Sequence, residues 1–104
     1  MLEVAYRPRA LFDLESIVVY IGDVLHSPSS ARKTYNSIVE TIAKLSETPG
    51  LGKTFADSRL EGVQYRSFLA GNYRVFYSYD ATTLTVWRML HTKQDIDDMT
   101  IVDW

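Results

Sequence analysis

Between Pro49 and Val63 the hydrophobic period of the chain changes, and that change limits the fold more than any other feature. Before it, apolar residues recur at spacings of three and four, the mark of one helix face. Leu11, Leu14, Val18, Ile21 and Leu25, widened by Ile17 and Val24, predict an amphipathic helix over residues 8–25, with Gly22 weakening its last turn. Pro8 suits the first turn, where a missing N–H costs nothing. His26-Ser27-Pro28-Ser29-Ser30 breaks and restarts the chain, with Ser27 placed as N-cap. Ala31, Tyr35, Ile38, Ile42 and Leu45, beside Val39, carry a second helix over 28–47 that Pro49-Gly50 stops. A short break between helices of similar length implies an antiparallel hairpin.

After Val63 the period is two, as in a strand with one buried face. Val63, Tyr65, Ser67 and Leu69 oppose Gln64, Arg66, Phe68 and Ala70; Gly71-Asn72 turns the chain. Tyr73, Val75, Tyr77 and Tyr79 oppose Arg74, Phe76 and Ser78, and Asp80 to Thr83 turns it again. Leu84, Val86, Arg88 and Leu90 oppose Thr85, Trp87, Met89 and His91. Leu2, Val4 and Tyr6 alternate in the same way ahead of the first helix. The predicted order is β-α-α-β-β-β, an α+β domain with the hairpin on one face of an antiparallel meander. Residues 94–99 are expected to form a short helix, and Trp104 to be loosely packed unless it docks as a local anchor.

Composition narrows the function classes. With 104 residues, 46% of them hydrophobic, the chain makes one domain, 1–104, with a core that needs no staples. The absence of cysteine excludes disulfides, thiolate zinc sites and thiol nucleophiles. No apolar run approaches the ~20 residues that span a bilayer. The opening MLEVAYRPRA lacks the apolar region of a signal peptide, so the expected setting is cytoplasmic, with no membrane partner. The net charge of −2 conceals a division: residues 51–94 hold six bases against three acids, and residues 95–104 hold four acids and no base.

Most catalytic motifs are missing. Gly50-Leu51-Gly52-Lys53-Thr54 ends like a phosphate-binding loop, but Glu47 stands where its first glycine is needed, and a helix precedes it where a strand should. His26 and His91 share no metal-ligand spacing, and Asp95, Asp97 and Asp98 read as solvated acids. No metal or cofactor is expected. What remains is a basic and aromatic set: Arg59, Arg66, Arg74, Arg88, His91 and Lys93 among Tyr65, Phe68, Tyr73, Phe76 and Trp87. Alternation places Tyr65/Leu69, Val75/Tyr77 and Val86/Leu90 under the helices. It places Arg66/Phe68, Arg74/Phe76 and Trp87/Met89/His91 on the opposite face, an expected binding surface for a charged partner. Arg88, sharing its face with Leu84 and Val86, is the exception and is expected to be buried and paired. His91 reads as a strand-end hydrogen-bonding residue, or else as a proton-transfer group.

Three stretches together resemble the RelE/ParE toxin superfamily of type II toxin–antitoxin systems, and more closely its ParE or plasmid-stabilisation branch. They are Arg7-Pro8-Arg9-Ala10 with Asp13-Leu14, Ile17 and Tyr20-Ile21; Leu45, Pro49 and Gly50-Leu51-Gly52; and Gly71-Asn72-Tyr73-Arg74-Val75-Phe76-Tyr77 followed by Arg88-Met89-Leu90-His91. After the histidine the superfamily typically continues with glycine and Arg-Asp; here Thr92 and Gln94 replace the glycine and arginine, while Asp95 matches. The resemblance implies a growth-arresting toxin held in a hetero-oligomer by a cognate antitoxin. A ParE-like member poisons DNA gyrase without catalysis. Its target- or antitoxin-binding residues would be Arg59, Arg66, Phe68, Arg74, Phe76, Trp87, Arg88, His91 and Lys93. A RelE-like member cuts mRNA on the ribosome; here Arg74 would hold the phosphate and His91 act as acid or base, assisted by Arg66 or Lys93. A third alternative is a non-toxic, decayed binding module. The thin basic cluster and the tyrosine-free stretch after His91 favour the gyrase-directed expectation.

Overall fold

A computed structural model of the chain describes residues 1–97, 100, 101 and 104. Strand β1 (Glu3–Tyr6) leads into helix α1 (Pro8–Val19), with Pro8 in its first turn. The predicted run to Leu25 is helical but not uniform. The α-helix ends at Val19 and widens into a π-helical turn over Tyr20–Val24, where Leu25 N–H reaches back five residues to Tyr20 O at 3.0 Å. Gly22 lies where this turn meets the second helix; a Cβ there would sit 3.6 Å from that of Ala31. His26, at φ 53°, reverses the chain. Helix α2 (Pro28–Glu47) keeps its predicted limits. Ser27 occupies the N-cap, but its hydroxyl donates to Ser30 Oγ at 2.7 Å and caps no backbone N–H.

A 3₁₀ turn (Pro49–Leu51) then opens a strand that alternation did not announce, β2 (Lys53–Phe55). Three residues are too few to display a period. The remaining strands are β3 (Tyr65–Ala70), β4 (Tyr73–Tyr79) and β5 (Thr83–His91). The sheet runs β1-β5-β4-β3-β2, with β1 parallel to β5 and every other pair antiparallel. The α+β meander is thus extended by one strand at each edge. Residues 94–97 form no helix, while Thr100 and Ile101 are helical and residues 98 and 99 lie outside the described set.

The core lies between the helix pair and one sheet face. Ala10 and Leu14 of α1 and Ile38, Ile42 and Leu45 of α2 pack on Ala70, Val75, Tyr77, Leu84, Val86 and Met89. Each fully buried Leu, Ile or Val contributes about 1.5–3 kcal/mol.

Register decides which side chains share that face, and it corrects the expected assignment. Across the Gly71-Asn72 turn Ala70 pairs with Tyr73, Phe68 with Val75 and Arg66 with Tyr77. Directly opposed residues point the same way, so Arg66, Phe68 and Ala70 lie on the helix side. Tyr65, Ser67 and Leu69 lie on the outer side. In β5, Val86 pairs with Tyr77 but Arg88 pairs with Phe76, leaving Trp87 as the extra residue of a β-bulge. The alternation therefore slips by one. Met89 and His91 pass to the helix side, and Arg88 and Leu90 to the outer side.

Candidate functional site

Without the bulge, Arg88 would point into the helix-side core. With it, the guanidinium emerges on the outer side, at the sheet edge that α1 covers once β1 has ended. Asp13 of α1 meets it there: Arg88 Nε donates to Asp13 Oδ2 at 2.6 Å and Nη2 to Oδ1 at 3.1 Å. The same carboxylate accepts the Met89 N–H at 3.0 Å, satisfying a strand edge that β1 no longer reaches. Arg88 and Asp13 are 3% and 8% exposed, so the expected buried pair is present and Arg88 presents no charge to solvent. Its Nη1 also holds Thr100 O at 3.0 Å.

That last bond belongs to a cover over the outer sheet face. Trp104 stacks on Phe55 at 5.7 Å between centroids and meets Phe76 at 4.8 Å and the Tyr65 ring edge-on at 5.4 Å. Phe76 is 1% exposed beneath it. The indole of Trp87 completes the layer, edge-on to Tyr65, with Nε1 donating to Ser78 Oγ at 2.8 Å and the Arg7 guanidinium 5.0 Å above its ring. Trp104 therefore docks as an anchor. The outer face carries the chain's largest ring cluster, but as a filled second layer.

The other sequence candidates separate. Arg59 clasps Asp57 through Nε at 2.9 Å and Nη2 at 2.7 Å and donates to Ile96 O at 3.2 Å. Those hydrogen bonds hold the Asp57 carboxyl down to about 2. Arg66 donates to Gly52 O at 2.6 Å. Beside it, Tyr77 Oη accepts the Gly52 N–H at 2.9 Å and donates to Pro49 O at 2.6 Å, which ties the Pro49–Gly52 loop to β4. Burial raises the Tyr77 hydroxyl above its usual range. A Cβ at Gly52 would lie 2.8 Å from Ser67 O and from Tyr77 Cε1, so glycine is needed for this close approach. Phe68 packs half-buried against the helix-side core.

Two open places hold the remaining candidates. Arg74 is exposed on the outer face and, with Leu51, Lys53, Ser67, Phe68 and Leu69, lines a hollow of about 320 Å³. Leu69 is 53% and Leu51 44% exposed there. Lys53, Leu51 and Leu69 were not among the sequence candidates; Lys53 stood in the discounted Gly-Leu-Gly-Lys-Thr run, and a three-residue strand gives no signal of its own. The second place is a cleft of about 370 Å³ between α1 and the end of β5, lined by Arg9, Phe12, Ser16, Tyr20, Tyr73 and His91 among others. His91 Nδ1 accepts the Lys93 N–H at 3.0 Å, which leaves the proton of a neutral ring on Nε2, and the ring lies edge-on to Tyr73 at 5.3 Å. Tyr73 is raised by burial and by Tyr20. Lys93 is exposed in the turn that follows.

Arg74 and His91 therefore do not converge. His91 pairs with Tyr73, whose neighbour Arg74 points through the other side of the sheet. Arg66 lies four residues along β3 from Ala70, the partner of Tyr73, roughly 13 Å at ~3.3 Å per residue. Among the described residues no three His, Asp or Glu side chains gather as a metal site, and no helix is long and apolar enough to cross a membrane.

The sequence profile described as ParE toxin of type II toxin-antitoxin system, parDE, matches residues 4–96. The chain belongs to the ParE toxin family. No curated protein matches this ParE-family chain by sequence. Its fold is that of a chain of the chromosomal ParDE TA system from P. aeruginosa, with a TM-score of 0.67 at 20% identity over 88% of this chain and 96% of that one. A chain of the YoeB dimer from Staphylococcus aureus is similar too, with a TM-score of 0.61 at 18% identity over 86% and 95% of the two chains. As a ParE-family member the chain is a type II toxin–antitoxin toxin of the ParE/RelE superfamily. In this ParE chain Thr92 and Gln94, which depart from the superfamily pattern, form a turn in which Thr92 N–H reaches Asn72 O and Gln94 N–H reaches His91 O, both at 2.9 Å.

Proposed function

We propose that this toxin arrests growth in the cytoplasm by binding and poisoning DNA gyrase, without cofactor or catalysis, and that a cognate antitoxin silences it in a hetero-oligomer. One observation carries the preference for binding over RNA cutting. The residues a ribonuclease would need, Arg74 for the phosphate and His91 for proton transfer, lie on opposite faces of the sheet. In-line cleavage needs cation and acid or base at one phosphate, within hydrogen-bond reach of the reacting oxygens. Arg66 supports a loop carbonyl elsewhere, so it does not repair the gap. The open basic and apolar hollow around Arg74, Lys53 and Leu69 fits contact with a protein surface. For the antitoxin, the exposed apolar residues of α1 and the π turn, Leu11, Phe12, Val19, Tyr20 and Val24, supply an unpaired stripe for an apolar segment.

Purified toxin added to gyrase and relaxed plasmid is expected to block supercoiling or trap cleaved DNA, and the antitoxin to reverse this. Full supercoiling at saturating toxin, with mRNA cut in a translating extract, reverses the assignment in favour of the ribosome. Expression without the antitoxin is expected to stop growth; undisturbed growth indicates a decayed binding module.

A further inference from the structure

We propose that the aromatic slot of Phe55, Tyr65 and Phe76 is a protein-binding site that the chain's own Trp104 occupies, and that it takes in trans an acidic segment bearing an indole. The slot draws one ring from each of three neighbouring strands, β2, β3 and β4, and grips the indole on several sides. A site assembled from separate strands is preorganised, so the ring that enters meets walls already in place. The occupant is held as well by the buried Ile101 side chain and through two backbone carbonyls. Arg59 takes Ile96 O and Arg88 takes Thr100 O, each as an additional bond on a guanidinium already engaged by a carboxylate. Carbonyl bonds of this kind do not depend on side-chain identity.

The fit of Trp104 is incomplete. Its Nε1 is buried with no hydrogen-bond partner, which a different approach of the ring can remedy and which lowers the hold of the internal occupant. Residues 92–97, which lead to the covering segment, contain no helix or strand, so release deforms no regular element. The occupant also states the chemistry of its competitor. Residues 95–104 carry four acids and no base, and the Arg7 guanidinium lies beside the slot, over Trp87 and close enough to Tyr65 to lower its pKa against the effect of burial. The guanidinium beside the slot favours a competitor that carries acids next to its indole. Binding at this slot is independent of any action on gyrase.

The probe is a labelled synthetic peptide of residues 95–104, titrated by fluorescence anisotropy into the full-length chain and its Trp104→Ala variant. The expected result is at least tenfold tighter binding to Trp104→Ala than to wild type, and at least tenfold weaker binding of a peptide with alanine in place of its tryptophan. Equal affinity for the two proteins, or no binding by a Trp104→Ala variant that keeps the wild-type circular dichroism spectrum, overturns the proposal. Trp104→Phe, which keeps a smaller ring in the slot and leaves every tether of the segment in place, serves as the second variant. Trp104→Phe is expected to bind the peptide more tightly than wild type but less tightly than Trp104→Ala, and affinity no greater than wild type counts against a releasable occupant whether or not Trp104→Ala folds.

Discussion

Asp13→Ala tests the idea that α1 is fastened to the bulged end of β5 by one buried carboxylate. Asp13 holds two guanidinium nitrogens of Arg88 and the Met89 N–H, and both charged side chains are more than nine-tenths buried. Removing one partner leaves a guanidinium that water reaches poorly and a strand-edge N–H with no acceptor. Breaking a buried pair in this way costs about 3–5 kcal/mol, against a total stability for such a domain of about 5–15 kcal/mol. At about 4–8 °C per kcal/mol the Tm falls by roughly 12–40 °C. Urea unfolding followed by far-ultraviolet circular dichroism, with an unchanged m value, measures the loss. Arg88→Met in the same chain removes the stranded charge, so the double variant is expected to be more stable than Asp13→Ala alone. A single-variant cost below ~1 kcal/mol, the range of exposed ion pairs, refutes the reasoning, as does a double variant no better than Asp13→Ala.

Other expectations follow from the same geometry. Tyr77→Phe strips the Gly52 N–H and the Pro49 carbonyl of their shared partner and is expected to lower stability by about 1–3 kcal/mol; Gly52→Ala, which brings a Cβ against Ser67 O, should destabilise as well, both read by urea unfolding. The Asp57 carboxyl is held at about 2 by Arg59, so its contribution is present above the ordinary carboxylate range and is lost as pH falls through about 2. Carbon-13 NMR should find that midpoint in the wild type and a return toward ~3.9 in Arg59→Ala. On function, Arg74→Ala is expected to weaken gyrase inhibition about tenfold, the usual scale of an interface arginine, while His91→Ala leaves it intact; a supercoiling assay in which only His91→Ala fails contradicts the proposed surface.

The sequence displayed the elements whose side chains repeat often enough to show a period. Helix α2 keeps both predicted ends because the buried Ala31, Ile38, Ile42 and Leu45 recur at helical spacing and Pro28 and Pro49 mark its limits. The π turn after Val19 keeps the residues near one face, so the apolar spacing gives no hint of the changed hydrogen bonding. Strand β2 was invisible for want of length. Whether Trp104 docks stayed open because position in a chain says nothing about a slot built by Phe55, Tyr65 and Phe76, residues that come together only once the sheet has formed. The buried Arg88 was legible from its apolar neighbours, but its partner Asp13, 75 positions away, carried no mark distinguishing it from the other acids.

The assignment of faces went astray for two different reasons, and only one was avoidable. A two-residue turn makes its flanking residues pair, so Gly71-Asn72 already required Ala70 to share a face with Tyr73, and hence Arg66 and Phe68 to share one with Tyr77 and Val75. Apolar content argued the other way, because Tyr65 and Leu69 look more like core than Arg66 does. That comparison assumes one buried face, and here Trp104 covers part of the second. The bulge at Trp87 is different in kind. The charge of Arg88 in phase with Leu84 and Val86 marks the position but not the extra residue, which moves every later side chain of β5 to the opposite face. His91 thereby leaves the side of Arg74 for the cleft beside Tyr73. A supposed single basic and aromatic face becomes a covered ring cluster, an open hollow around Arg74 and a separate histidine cleft, and the chemistry that needed arginine and histidine at one phosphate loses its geometric basis.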